Sequence, residues 1–99
     1  MQTDELIKLA ESGDINAQID LGVCYVKGDD LPLDATKAAY WWQKAADAGN
    51  DVAQYYLGLL YVDGVGVEKN LEITKELWRK SAAQGNKNAI NNSKHLFGN

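Results

Sequence analysis

The sequence repeats itself with a period of 36 residues. The segment LGVCYVKG at positions 21–28 returns as LGLLYVDG at positions 57–64, and the alignment continues outward without a gap. The other residues that recur are Ala17, Gln18, Trp42, Lys44, Ala46, Gly49 and Asn50, which match Ala53, Gln54, Trp78, Lys80, Ala82, Gly85 and Asn86. A fixed period of this length is typical of solenoid proteins, in which each repeat buries its apolar face on its neighbour.

Each repeat contains two stretches with the spacing of an amphipathic helix. Good N-cap residues mark the helix starts, and glycines mark the ends. The N-caps are Asp14, Asp34, Asn50, Asn70 and Asn86, and the glycines are Gly28, Gly49, Gly64 and Gly85. Between them, buried positions recur at i, i+3, i+4 and i+7, which favours helix over strand. These patterns predict one all-α domain of six helices, with a half-unit at 1–13, repeats at 14–49 and 50–85, and a capping helix at 86–99.

Two glycines lie inside the predicted first helices, where glycine costs about 1 kcal/mol relative to alanine. Gly22 and Gly58 recur at the same phase, so we infer that they allow two helix backbones to approach closely. The substitution Gly58→Leu is therefore expected to destabilise the fold by overpacking, by ~1–3 kcal/mol. In the last predicted helix, Ser93 and Lys94 replace the Leu–Gly pair, as expected of a helix with a polar outer side.

Composition restricts the class of protein. The formal net charge is −4, with an acidic body and a mildly basic C-terminal end, because residues 77–99 contain four basic residues and no acid. An acidic body repels phosphate, so binding to nucleic acid is not expected. No stretch approaches the roughly eighteen apolar residues of a membrane span, and the N-terminal residues do not resemble a signal peptide. The single cysteine, Cys24, cannot form an intrachain disulfide, which favours a cytoplasmic location.

The two repeats resemble the Sel-like repeat (SLR) family, relatives of the tetratricopeptide repeat. Within residues 16–86 the matching elements are Ala–Gln, Leu–Gly, the following Tyr, the loop glycines, the Ala-x-x-Trp segment and the closing Ala–Ala…Gly–Asn. The resemblance implies a right-handed α/α superhelix of tetratricopeptide-like helix pairs that binds other proteins. Asp29 and Asp30 stand where a second loop glycine is usual, so the first loop is expected to differ in shape from the second. Some secreted relatives have a disulfide in each unit, which the lone Cys24 does not fit.

The resemblance also implies where a partner binds. In the related tetratricopeptide fold, the first helix of each pair lines the concave face. Matching positions here are Ile19, Val23, Val26, Lys27, Tyr55, Leu59, Val62, Asp63, Asn91 and His95. Val23 and Leu59 either face a ligand or contact the neighbouring first helix. Tyr55 is the preferred ligand contact, because an aromatic ring with a polar tip suits interfaces, and Tyr55→Ala is expected to weaken binding while leaving the fold largely intact.

The loop GDDLPLD at 28–34 is interpreted in two ways. Asp29 and Asp30 either form an acidic rim that faces a basic partner or belong to a solvated loop. Their spacing is not that of a calcium loop, and no metal site is predicted. No catalytic residue and no cofactor are predicted, because nothing in the sequence pairs His95 with Cys24, and GVGV lacks a following Gly–Lys–Ser/Thr.

The predicted function is protein binding by occupancy rather than chemistry. So few repeats accommodate a peptide, a helix or a small domain, and one concrete hypothesis is an acidic immunity protein that caps a basic bacterial toxin. The alternatives are an adaptor or an envelope- or peptidoglycan-associated SLR protein and, last, an enzyme of β-lactam hydrolase type.

Overall fold

The computed structural model describes residues 3–98, which form six α-helices and no strand. The helices are α1 (Thr3–Glu11), α2 (Ile15–Lys27), α3 (Ala35–Asp47), α4 (Asp51–Asp63), α5 (Leu71–Ala83) and α6 (Lys87–Phe97). Each helix packs mainly against the next helix along the chain, in an elongated body of 42 × 24 × 17 Å. The predicted all-α stack of helix pairs is confirmed. None of the helices in this range is both long and apolar enough to cross a bilayer.

The helix ends follow the predicted caps. In α2 to α6 the N-cap side chain accepts a hydrogen bond from the backbone N–H three residues later, and each such cap contributes about 1 kcal/mol. These caps are Asp14, Asp34, Asn50, Asn70 and Asn86. Gly28 and Gly64 end α2 and α4 in the left-handed conformation, with φ of 74° and 72°. Both first helices therefore stop at the same point of the repeat.

The loops that follow Gly28 and Gly64 have the same backbone shape, so the expected difference between them is wrong. Asp30 adopts φ +59°, close to the +73° of its counterpart Gly66. Each loop also closes through an equivalent backbone hydrogen bond, of 2.9 Å in the first and 3.0 Å in the second. Aspartate is one of the few non-glycine residues that adopt the left-handed region, which is why the substitution keeps the shape.

A tryptophan packs onto a glycine in both repeats, as the sequence predicted for a close helix approach. A Cβ on Gly22 would overlap the indole of Trp42, and a Cβ on Gly58 would overlap that of Trp78. Each indole Nε1–H donates to a backbone carbonyl three residues before the glycine, at 3.1 Å in the first repeat and 3.0 Å in the second. Both tryptophans are buried. This contact holds the second helix of each unit against the first.

Buried polar side chains link one repeat to the next. Gln54 donates to the carbonyl of Ala46 at 3.3 Å, and Gln18 makes the equivalent bond to Ala10 at 3.0 Å. The exposed Gln84 side chain donates to Gln54 Oε1 at 3.0 Å within the second repeat and to the carbonyl of Gly49 in the first repeat at 2.9 Å. Since a buried amide without a partner is costly, these bonds fix the register between units.

Candidate partner-binding face

The ten residues predicted to contact a partner occupy equivalent positions on α2, α4 and α6, and we call this set the first-helix face. Its exposed members are Lys27, Leu59, Asp63, Asn91 and His95, and its half-buried members are Ile19, Val23, Val26, Tyr55 and Val62. Residues that are 36 positions apart in the sequence therefore occupy equivalent places on these three helices. Their role in binding stays a prediction.

Val23 and Leu59 occupy the same place in the two repeats but differ in burial. Val23 is half-buried and packs with Ile19 and Val26 against the main core cluster. Leu59 is 39% exposed and lies in the middle of α4. Val23 therefore packs on the core, whereas the Leu59 side chain is exposed, and a ligand contact for either stays a prediction.

Tyr55 joins three helices, which gives it a structural role that the sequence does not reveal. Its ring stacks on Trp78 of α5 with centroids 5.9 Å apart, and its hydroxyl accepts a 2.8 Å hydrogen bond from Asn92 of α6. These contacts argue against the expectation that Tyr55→Ala leaves the fold largely intact. Truncation removes a stacked ring and leaves the Asn92 amide without this partner. Tyr55 remains a candidate contact, but a test of binding needs another residue.

A groove of about 210 Å³ lies between α5 and α6, beside the end of the first-helix face. It is lined by Trp78, Asn92, His95 and Leu96, of which only His95 was predicted. Leu96 is 44% exposed, whereas Leu60, its counterpart in α4, is buried. A repeat alignment assigns Leu96 to the core, so the sequence offers no signal for its exposure.

The acidic loop lies at the C-terminal end of α2. Asp29 and Asp30 are both exposed, and Cys24 is half-buried nearby. Burial raises the pKa of the Cys24 thiol, and the carboxylates of Asp29, Asp20 and Asp30 raise it further. The thiol therefore stays protonated near neutral pH, which makes it a poor nucleophile and a poor metal ligand. Across residues 3–98 there is no cluster of three His, Cys, Asp or Glu side chains suited to a metal ion.

A second groove, of about 310 Å³, lies on the other side of the α5–α6 contact and was not predicted. We call it the basic groove, and it is lined by Lys75, Arg79, Ala82, Ser93 and Phe97. The Lys75 ammonium lies 5.8 Å from the centre of the Phe97 ring, and Arg79 forms a 2.7 Å ion pair with Glu76. The sequence signals for this groove are the basic C-terminal end and the replacement of Leu–Gly by Ser93 and Lys94.

A family model described as the Sel1 repeat matches residues 15–50 and 51–86, which is most of the chain. No curated protein matches the sequence.

Two solved structures are similar to this chain in both sequence and fold. One is c5321, a protective antigen present in uropathogenic Escherichia coli strains and displaying an SLR fold, with a TM-score of 0.84 and 34% identity over 87% of this chain. The other is a Sel1 repeat protein from Oxalobacter formigenes, with a TM-score of 0.81 and 33% identity over 85% of this chain. The matches span only 18% and 35% of those two chains.

Proposed function

The chain belongs to the Sel1 repeat family, whose repeats generally mediate protein–protein interaction, and we propose that it is a non-catalytic module that holds a partner protein on its first-helix face. One observation supports a contact on this face. Leu59 is a large apolar side chain that is 39% exposed in the middle of α4, although Val23 at the same repeat position packs on the core. The exposed Asp63, Asn91 and His95 of the same face are polar, as residues at the rim of protein interfaces commonly are.

The partner we propose is a small basic protein. The sequence has fourteen acidic and ten basic residues, and Asp29 and Asp30 are exposed at one end of α2. Complementary charge speeds the encounter of two proteins and disfavours acidic competitors. The first-helix face spans three short helices, so it accommodates a peptide, a helix or the edge of a small domain. The specific form of this hypothesis is that the partner is a basic bacterial toxin, which the chain neutralises by covering its surface. We also propose a cytoplasmic location, which suits the single unpaired Cys24.

The test compares two substitutions that are matched in chemistry and exposure. Leu59→Arg places a charge on the first-helix face, and Leu71→Arg makes the same change on α5, where Leu71 is 38% exposed against 39% for Leu59. A partner is first identified by affinity capture from native lysate, and its dissociation constant is then measured by calorimetry for the wild type and both variants.

Leu59→Arg is expected to weaken binding by about tenfold or more, because it buries a charge at the centre of an interface. Leu71→Arg is expected to bind like the wild type. Equal binding by the wild type and Leu59→Arg, or loss of binding in Leu71→Arg alone, rules out the first-helix face.

The toxin hypothesis has its own test. The captured partner is expressed in a bacterial host with and without this chain, and growth is recorded. Rescue by the wild type and not by Leu59→Arg supports neutralisation. A partner that is harmless when expressed alone, or acidic overall, contradicts this part of the proposal while leaving the binding face to be judged by calorimetry.

A further inference from the structure

The loop that follows α4 packs against the end of the loop that follows α2. A Cβ on Gly66 in the later loop would overlap the backbone of Ala35, the first residue of α3. Leu33 lies two residues before Ala35, and Val65 lies one residue before Gly66, so both belong to the region where the two repeats meet. We call this region the loop junction, and it comprises residues 28–35 and 64–70.

Two large apolar side chains are exposed at the loop junction. Leu33 is 68% exposed, which is the largest fraction of any large hydrophobic residue in 3–98, and Val65 is 46% exposed. Leu31 and Val67, the apolar residues two positions from them in the same loops, instead pack on the core cluster. A single exposed leucine needs no explanation, but exposed apolar side chains on two loops that pack together are typical of a surface that a partner covers.

The exposure of both positions does not depend on how many repeats the stack has, because the two repeats show each position in a different context. Leu33 has a full repeat after it, and its counterpart Lys69 has a full repeat before it. Val65 has a full repeat before it, and its counterpart Asp29 has a full repeat after it. All four residues are exposed. Neither position is therefore one that a further repeat buries.

The loop junction is also acidic, which restricts the partner. It contains one basic residue, Lys69, and four acids, which are Asp29, Asp30, Asp34 and Glu68. No ion pair among residues 3–98 involves any of these four carboxylates. A segment that has lysine or arginine near a large apolar side chain matches this surface in charge and in hydrophobicity, whereas an acidic segment is repelled.

We propose that the loop junction is a second docking surface, which binds a basic segment of another protein through a large apolar anchor. The anchor covers Leu33 and Val65, and the basic side chains of the segment pair with the loop carboxylates. Because the carboxylates of Asp29 and Glu68 are on exposed residues, added salt weakens the binding. This surface is distinct from the first-helix face, so its test is independent of the proposed function.

The repeat itself supplies two substitutions that suit the loop backbone. Leu33→Lys gives the first loop the residue that the second loop has at that position, Lys69, and Val65→Asp gives the second loop the counterpart of Asp29. The two loops have the same backbone shape and close through equivalent hydrogen bonds, so each new residue is one that this shape already accommodates. Circular dichroism and urea unfolding check that both variants are folded.

The probe is a library of random peptides displayed on phage and selected on the immobilised full chain. The selected peptides are expected to be rich in lysine and arginine and to contain a large apolar residue. Synthetic peptides with the selected sequences are then titrated with the wild type and each variant, and the dissociation constants are measured by fluorescence anisotropy at low and high salt.

Leu33→Lys is expected to weaken binding about tenfold or more, because it removes apolar contact area and adds a charge of the same sign as the peptide. Val65→Asp is expected to weaken binding roughly threefold or more, although it makes the surface more acidic, because it removes the second apolar contact. Leu59→Arg, on the first-helix face, is the control and is expected to bind the peptides like the wild type.

Three results overturn the inference. The first is a selection that enriches no peptide, or only neutral or acidic ones. The second is binding by Leu33→Lys that equals the wild type, or binding that Leu59→Arg abolishes while Leu33→Lys does not, since the peptides then occupy another surface. The third is binding by Val65→Asp that is as tight as the wild type or tighter, because charge alone then accounts for it.

Discussion

The substitution Gly58→Ala separates the two effects of a glycine inside α4. Alanine gains about 1 kcal/mol over glycine in a helix interior. The new Cβ, however, overlaps the indole of Trp78, which is buried and donates a 3.0 Å hydrogen bond to the carbonyl of Tyr55. Overpacking costs ~1–3 kcal/mol, and loss of the indole hydrogen bond costs about 1 kcal/mol more. The expected net effect is a loss of about 1–3 kcal/mol in the free energy of unfolding.

The assay is urea unfolding followed by circular dichroism, with a thermal melt in parallel. For a domain of this size each 1 kcal/mol lowers Tm by about 4–8 °C. A double-mutant cycle identifies the cause, because Trp78→Phe removes the pyrrole atoms that face Gly58. In the Trp78→Phe background, Gly58→Ala is expected to be neutral or stabilising. A Gly58→Ala protein at least as stable as the wild type, or one with the same loss in both backgrounds, refutes the packing argument.

Two further predictions concern the first loop and the thiol. Asp30→Gly is expected to raise the free energy of unfolding by up to about 1 kcal/mol, because glycine adopts φ +59° without strain. Gly66→Asp is expected to lower it, because the new Cβ overlaps the backbone of Ala35 in the preceding repeat. Equal urea midpoints for the two variants would contradict this. Cys24 is expected to react with iodoacetamide more slowly in the native protein than in the urea-unfolded chain at neutral pH, and Asp29→Asn is expected to move its reaction profile to lower pH. Native and unfolded rates that coincide across the pH range would exclude the raised pKa.

The limits of sequence-based prediction are clearest in the candidate binding face. Register alone places Val23 and Leu59 at one position of the repeat, and yet one packs on the core and the other is exposed. The contact between Tyr55 and Asn92 joins residues 37 positions apart, and neither residue type requires it. Family resemblance supplies a face, but the burial of each side chain on that face depends on neighbours that differ between repeats.

The sequence by itself determined the helices and their order. Three features act locally or recur with the period: the N-caps, the glycines in the left-handed conformation and the Gly–Trp pairs. They can therefore be predicted from the sequence. Only the tertiary structure decided which surfaces remain open. Asp30 keeps the loop shape because aspartate adopts the left-handed conformation and an equivalent backbone hydrogen bond closes both loops. The basic groove lies between α5 and the residues Ser93 and Phe97 of α6. Exposure is a property of three-dimensional contacts between distant segments, and a repeat period specifies those contacts only where both repeats share the same side chains.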